Sequence, residues 1–260
     1  MEKTGTEFCI FLCFPCLNIQ MVTVHSRQEQ QPVYVLHTYP FRETSLVVEL
    51  FTRQFGRVAA VAKGARRPRA AMRGMLQSFQ PLVATWSGKS ELRNLHSVEW
   101  QSGLHVLHGQ ALICGFYLNE LMLRLLPRED PHEALFEQYE KALRLLAQDN
   151  LQSPILRCFE KRLLQELGYA LPLEHEADSG ALIEPDRLYC YVAERGPVRQ
   201  NGAQTGVQLS GKTLLDMVRD DYSDAQTLQQ SKQLMRVLLG HYLGDKPLHT
   251  RQLLIDLQNI

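Results

Sequence analysis

An α+β fold, with a small closed β-barrel first and a helical domain after it, is what the hydrophobic periodicity of this chain predicts. Three observations carry that expectation. From Val33 to Trp100 apolar residues alternate or gather in short runs cut by turn residues, the pattern of strands. After Gly109 the repeat lengthens to that of helices. The chain has 260 residues, 45% of them hydrophobic, enough to bury a core in each part.

The strands read in order as "VYVLHTYPF" (33–41), "SLVVELFT" (45–52), "RVAAVAKG" (57–64), "QPLVATWSG" (80–88) and "LRNLHSVEW" (92–100). "RQFG" and "GKS" have hairpin-turn length with a glycine for positive φ, whereas 64–79 is a longer loop. Five short strands in so few residues suit a barrel of the OB type, whose closure leaves few sheet edges.

Helices follow at "QALICGFYLNELMLRLL" (110–126), apolar around most of its circumference, and at "PHEALFEQYEKALRLLAQ" (131–148). The second is expected to start from Asp130 as cap and Pro131 as first residue, and Ser153 with Pro154 repeats the arrangement before "ILRCFEKRLLQEL" (155–167). Residues 168–206 are polar, with at best a hairpin near "RLYCYVA" (187–193). Further helices are expected at 211–220, 224–243 and 250–258, with Ser210 capping the first and a Ser223/Gln226 capping box opening the second. The implied organisation is an unstructured extension at 1–24, a barrel domain at 25–104, and a helical domain at 105–260 with an insert at about 168–206. Met21 is the expected natural start, since the apolar stretch 8–19 is too short to span a bilayer and lacks a positive flank.

Charge divides the chain. Lys+Arg and Asp+Glu balance at 28 each, yet residues 21–100 carry a net charge of +6 and residues 101–260 one of −5. Within 51–90 there are eight cations and no acid. Five of them, Lys63, Arg66, Arg67, Arg69 and Arg73, crowd the loop "VAKGARRPRAAMRG" (61–74). A charge run is most often a solvated face. Here the absence of local acids and the position between barrel strands point to a polyanion, a nucleic-acid backbone, with Tyr39, Phe41, Phe55 and Trp86 as aromatics available for stacking or for the core.

Three motif matches are set aside. "GVQLSGKT" (206–213) fits a phosphate loop with Lys212, but its lead-in is polar and its surroundings read as helical, so Ser210 is expected to act as a helix cap; Asp256 in "LLID" also has helical neighbours. Cys9, Cys13 and Cys16 have the spacing of a four-iron cluster loop but precede a chain with no long α/β barrel, and the six cysteines as a set suggest a reducing cytosol. His175, Glu176, Asp178 and Cys190 lack the paired Cys/His spacing of structural zinc, so no metal is expected, and no catalytic constellation is visible.

The segment 35–82, through "RETSLVV", "GRVAAVAKGAR" and "LQSFQPL", closely resembles the RecO family of bacterial recombination mediators, and the likeness continues in "LNELMLRLL" (118–126), "LRCFEKRLLQELGYALPL" (156–173) and "GDKPLHTRQLL" (244–254). The resemblance implies an OB-fold domain, a helical domain and a small insert, which in many members holds zinc with four cysteines. With only Cys190 in that region, this insert is expected to be a degenerate, metal-free version. It further implies a cytoplasmic, nucleoid-associated protein without catalytic residues or cofactor. Such a protein binds single- and double-stranded DNA, anneals complementary strands coated by single-stranded DNA-binding protein (SSB), and cooperates with RecR in loading RecA. Arg42 and Arg57 then join the loop cations as DNA contacts. The helix with Leu156 and Arg157 becomes the expected seat of the acidic SSB tail, against the plainer alternative that Arg157 pairs with Glu160. A general RNA-binding OB protein, or a nucleotide-dependent enzyme using Lys212, are the other readings.

Overall fold

The computed structural model describes residues 27–101, 103, 106–148, 151–169, 171–200, 206–244, 246–250 and 252–253. The expected extension at 1–24 with its three cysteines, Asp256, and most of the expected helix at 250–258 lie outside them. Five strands, β1 (Arg27–Phe41), β2 (Ser45–Thr52), β3 (Gly56–Ala62), β4 (Leu82–Ser87) and β5 (Leu92–Trp100), close into a barrel in the order β1-β2-β3-β5-β4. Every pairing is antiparallel except β3 with β5. A parallel pair needs a long crossover. Here the basic loop, the short helix α1 (Ala71–Met75) and β4 supply it.

The barrel has two apolar faces. Val33 and Val35 of β1 point inward with Val48, Leu50, Val58, Leu82 and Trp86, while Tyr34 and Leu36, one pleat apart, point outward into a second core with Phe51. Helices α2 (Gly109–Leu125) and α3 (Glu133–Leu146) cover that outer face, with α4 (Gln152–Glu166) packed against them. The Tyr34 ring lies 5.4 Å from that of Phe136 and 5.1 Å, edge-on, from that of Tyr139. The junction is also hydrogen-bonded, since the Asn119 amide donates to the Leu36 carbonyl at 2.9 Å and the Tyr139 hydroxyl donates to Asn119 at 2.6 Å. Burial pushes both phenols well above the ordinary tyrosine range, so they stay neutral.

Beyond α4 the chain forms β6 (Leu188–Val192), β7 (Gly196–Arg199) and β8 (Val207–Ser210), then α5 (Gly211–Val218) and α6 (Ala225–Leu243). The expected hairpin is therefore a three-stranded antiparallel sheet, ordered β7-β6-β8, because β8 returns to the free edge of β6.

Three expected helix starts are corrected. Neither Asp130 nor Pro131 opens α3, which begins at Glu133, because 127–131 turn against the barrel, with Glu129 at φ 60° and its N–H donating to the Arg57 carbonyl at 3.0 Å. Ser153 does not cap α4. The helix starts a residue earlier, at Gln152, and Pro154 falls inside its first turn, where a missing N–H breaks no intrahelical bond. Asp224, not Ser223, caps α6 by accepting from Thr227 N at 2.8 Å, while the Ser223 hydroxyl turns to Asp221. Ser210 caps α5 as expected, accepting from Thr213 N at 3.1 Å. Among the described residues no helix is long and apolar enough to cross a membrane.

Candidate nucleic-acid interface

The basic loop leaves β3 at Ala62 and is pinned at both ends. Ala65 and Leu76 sink into the barrel core, and Met72 and Met75 pack partly against it. Backbone bonds from Arg66 N to Thr44 O (2.9 Å), Arg67 N to Gly64 O (3.0 Å) and Ala70 N to Arg67 O (3.1 Å) fold the segment between. The small apolar residues thus hold the loop down. Its cations point away, and Lys63, Arg66, Arg67, Arg69 and Arg73 are all exposed.

Arg42 joins them, exposed on the β1–β2 turn, where its carbonyl accepts from the Arg66 guanidinium at 3.3 Å. Its φ of 52° puts it in the left-handed region that a tight turn between strands uses. Among the described residues none of these six forms an ion pair, whereas Arg53, Arg57 and Arg93 do. Part of the acid-free cation run is therefore neutralised from outside it, Arg53 by Glu133 and Glu137 of α3. Arg57 stands apart from the other expected contacts. It lies at the opposite end of β3, 3.4 Å from the buried carboxylate of Glu49, which Arg128 also holds; burial pulls its guanidinium down and Glu49 pushes it back up. Six unpaired cations on one end of a barrel make a surface on which a polyanion gains attraction without first displacing a carboxylate.

The aromatics divide as well. Trp86 is 2% exposed and packs edge-to-face with Phe55 at 5.6 Å, so both belong to the barrel interior and its rim. Tyr39 is 45% exposed near the β1–β2 turn with its ring 4.4 Å from His37, and the Arg42 guanidinium lies over Phe41. Trp100, which sequence reasoning passed over as the last residue of a strand, is 52% exposed, a fact visible only once the register of β5 is known.

The second expected site lies on α4. Arg157 does pair with Glu160, Nη2 to Oε1 at 2.6 Å, but the pair is buried rather than on an open helix face. Tyr117 donates a second bond to the same oxygen at 2.6 Å. Burial raises the Glu160 carboxyl above its ordinary range although Arg157 and Tyr117 act against it. Among the described residues Arg157 Nε and Glu160 Oε2 are buried without a hydrogen-bond partner, and Leu156 is half-buried beside them.

The phosphate-loop look-alike holds a strand within it, β8, where only helical surroundings were expected, and α5 starts at its second glycine, Gly211. That strand is four residues of an antiparallel sheet. The Lys212 ammonium lies 2.5 Å from Asp216 Oδ2, and the Thr213 hydroxyl is buried and donates to Gln230 at 2.6 Å. A lysine and a hydroxyl so engaged do not face a common phosphate position. In the insert, Glu176 accepts from Ser179 and from Arg199 (2.6 Å), which hold its carboxyl below the ordinary range, and Asp178 pairs with Arg195. Among the described residues no three His, Cys, Asp or Glu side chains group as a metal site, so a zinc-finger likeness of this sheet has no ligand set there.

Comparison with known proteins adds the following. The family model described as "Recombination protein O N terminal" matches residues 26–104, and the one described as "Recombination protein O C terminal" matches residues 107–252. The chain is 58% identical over 236 residues to the DNA repair protein RecO of Nitrosospira multiformis, covering 90% of this chain and 98% of that one. It is 53% identical over 243 residues to the protein of the same name from Dechloromonas aromatica, covering 92% and 100%.

Proposed function

Since the chain belongs to the RecO family of DNA repair proteins, we propose that it is a non-enzymatic mediator that binds single- and double-stranded DNA and anneals complementary strands coated by SSB. With RecR it then helps RecA onto the strand, in the cytoplasm at the nucleoid. The observation that carries this reading is the set of exposed cations, Arg42, Lys63, Arg66, Arg67, Arg69 and Arg73, with no carboxylate paired to any of them among the described residues. Annealing brings two polyanions together, and a surface that neutralises phosphates on both lowers the main repulsive term. Backbone contacts of this kind carry no sequence preference.

The SSB tail, acidic and ending in phenylalanine, is assigned to α4. Leu156 would meet its ring, and Arg157, given up by Glu160, its carboxylate. In a titration with a labelled tail peptide, Leu156→Ala and Arg157→Lys should each weaken binding, and an unchanged affinity for both would place the tail elsewhere.

The DNA reading is tested by fluorescence anisotropy of labelled oligo-dT against salt, with wild type compared to a variant carrying Ala at 63, 66, 67 and 69. Each phosphate contact contributes about −0.7 to the log–log slope for a single strand, so loss of four contacts should flatten it by about 3. An identical slope for both proteins would reduce the loop to a solvated face. Tighter binding to oligo-rU than to oligo-dT would favour RNA as the ligand.

A further inference from the structure

We propose that Trp100 is a stacking platform for an unpaired nucleobase, set at the end of the basic loop, and that it gives the protein a preference for single-stranded over double-stranded DNA. The inference rests on the DNA-binding reading above and adds a ligand face to it. Register places the residue. β5 runs parallel to β3, with Leu95 level with Ala62, where the basic loop begins. Past that point β5 continues under the loop to Trp100, which pairs with Leu82, where the chain re-enters the barrel as β4. The loop therefore starts beside β5 at Leu95 and ends opposite Trp100. The indole Nε1–H points to the carbonyl of Met75, the last residue of α1, at 3.5 Å, two residues from the exposed Arg73. One base on the indole thus leaves its neighbouring phosphate within reach of a free guanidinium.

A single exposed apolar residue ordinarily needs no explanation. Trp100 differs in its companions. Of the large aromatics that stand exposed among the described residues, Tyr39, Trp100 and Phe116, two lie at the cationic end of the barrel, Tyr39 near Arg42 and Trp100 near Arg73, whereas Phe116 sits on α2 and packs its ring on Phe79. Alternation along β5 puts Trp100 on the pleat face of the buried Val98 and sends the intervening acid, Glu99, to the other face. The ring is thus not screened by the one carboxylate adjacent to it in sequence. Bases in a duplex stack on one another and offer only edges, so an indole can gain from an unpaired strand what it cannot gain from a paired one.

The test uses the full-length protein, oligo-dT and a blunt duplex, with Trp100→Leu and Trp100→Phe. Trp100→Leu should weaken oligo-dT binding about 5- to 150-fold, equivalent to about 1–3 kcal/mol per stacked base at 1.4 kcal/mol per tenfold. Duplex affinity and the salt slope should not move. Trp100→Phe, which keeps a ring, should recover most of the loss. The protein has two tryptophans and Trp86 is buried, so emission quenching by oligo-dT should persist in Trp86→Phe and vanish in Trp100→Leu. Equal affinity of Trp100→Leu and wild type for oligo-dT overturns the platform, as does equal loss in Trp100→Phe and Trp100→Leu. If the four-alanine loop variant loses its phosphate contacts while Trp100→Leu binds normally, the DNA reading stands and this inference alone falls. If neither substitution matters, both fall together.

Discussion

Arg157 and Glu160 show what a single pair of residues can conceal. Three positions apart on a helix, they read in the sequence as a weak surface pair; tertiary packing of Tyr117 and the neighbouring helices buries them instead. Removing one partner of a buried pair leaves an uncompensated charge, so Arg157→Ala should cost about 3–5 kcal/mol of stability, measured by urea unfolding. The raised Glu160 carboxyl adds a pH dependence. A carboxyl held above its unfolded pKa binds its proton more tightly in the folded protein, so it favours folding below that window and the benefit is lost as pH rises through it. Glu160→Gln cannot titrate. Its stability relative to wild type should therefore climb as pH rises from about 4.3, the ordinary glutamate value, through the raised one. A difference independent of pH would mean that Glu160 titrates normally.

Elements were legible where side-chain period and burial coincide. Four of the five barrel strands stand within two residues of where alternation put them, because each has one face in a core and a shift by one residue would turn that face to water; β1 instead begins six residues early, at Arg27, in a polar stretch that alternation did not mark. Helix starts were less legible, since capping residues compete with tertiary contacts that no local window contains. Asp130 has the chemistry of a cap but lies on a segment tied to the barrel. That segment also passes over Gly56, which ends the β2–β3 turn at φ 62° and whose missing Cβ would run into the carbonyl of Asp130. Gly56→Ala meets both the backbone penalty and the collision, and should destabilise the protein by at least about 2 kcal/mol, read as a lowered urea midpoint. A neutral result would mean that the turn and the 127–131 segment can separate freely. The basic loop was visible as a charge run, whereas its relation to Trp100 depended on the parallel pairing of β3 with β5, which no periodicity encodes.

At the scale of the molecule, a neutral total hides a strongly cationic barrel end, and the two cores meet in β1. Tyr34, Leu36 and Phe51 belong to the barrel by chain connection and to the helices by packing. The two parts should therefore unfold together. In a Trp100→Phe background the emission of Trp86 reports on the barrel and far-UV circular dichroism on the helices, and the two urea transitions should superimpose. Separated midpoints would show a barrel that stands alone. The same shared strand has a consequence during synthesis. Tyr34 leaves the ribosome about a hundred residues before Tyr139, an interval of roughly 5–20 s at bacterial elongation speeds of about 5–20 residues per second. For the last part of that interval, from the synthesis of Trp100 onward, a completed barrel carries Tyr34, Leu36 and Phe51 as an apolar strip not yet covered by α3, a surface on which a holdase chaperone would settle until that helix arrives to displace it.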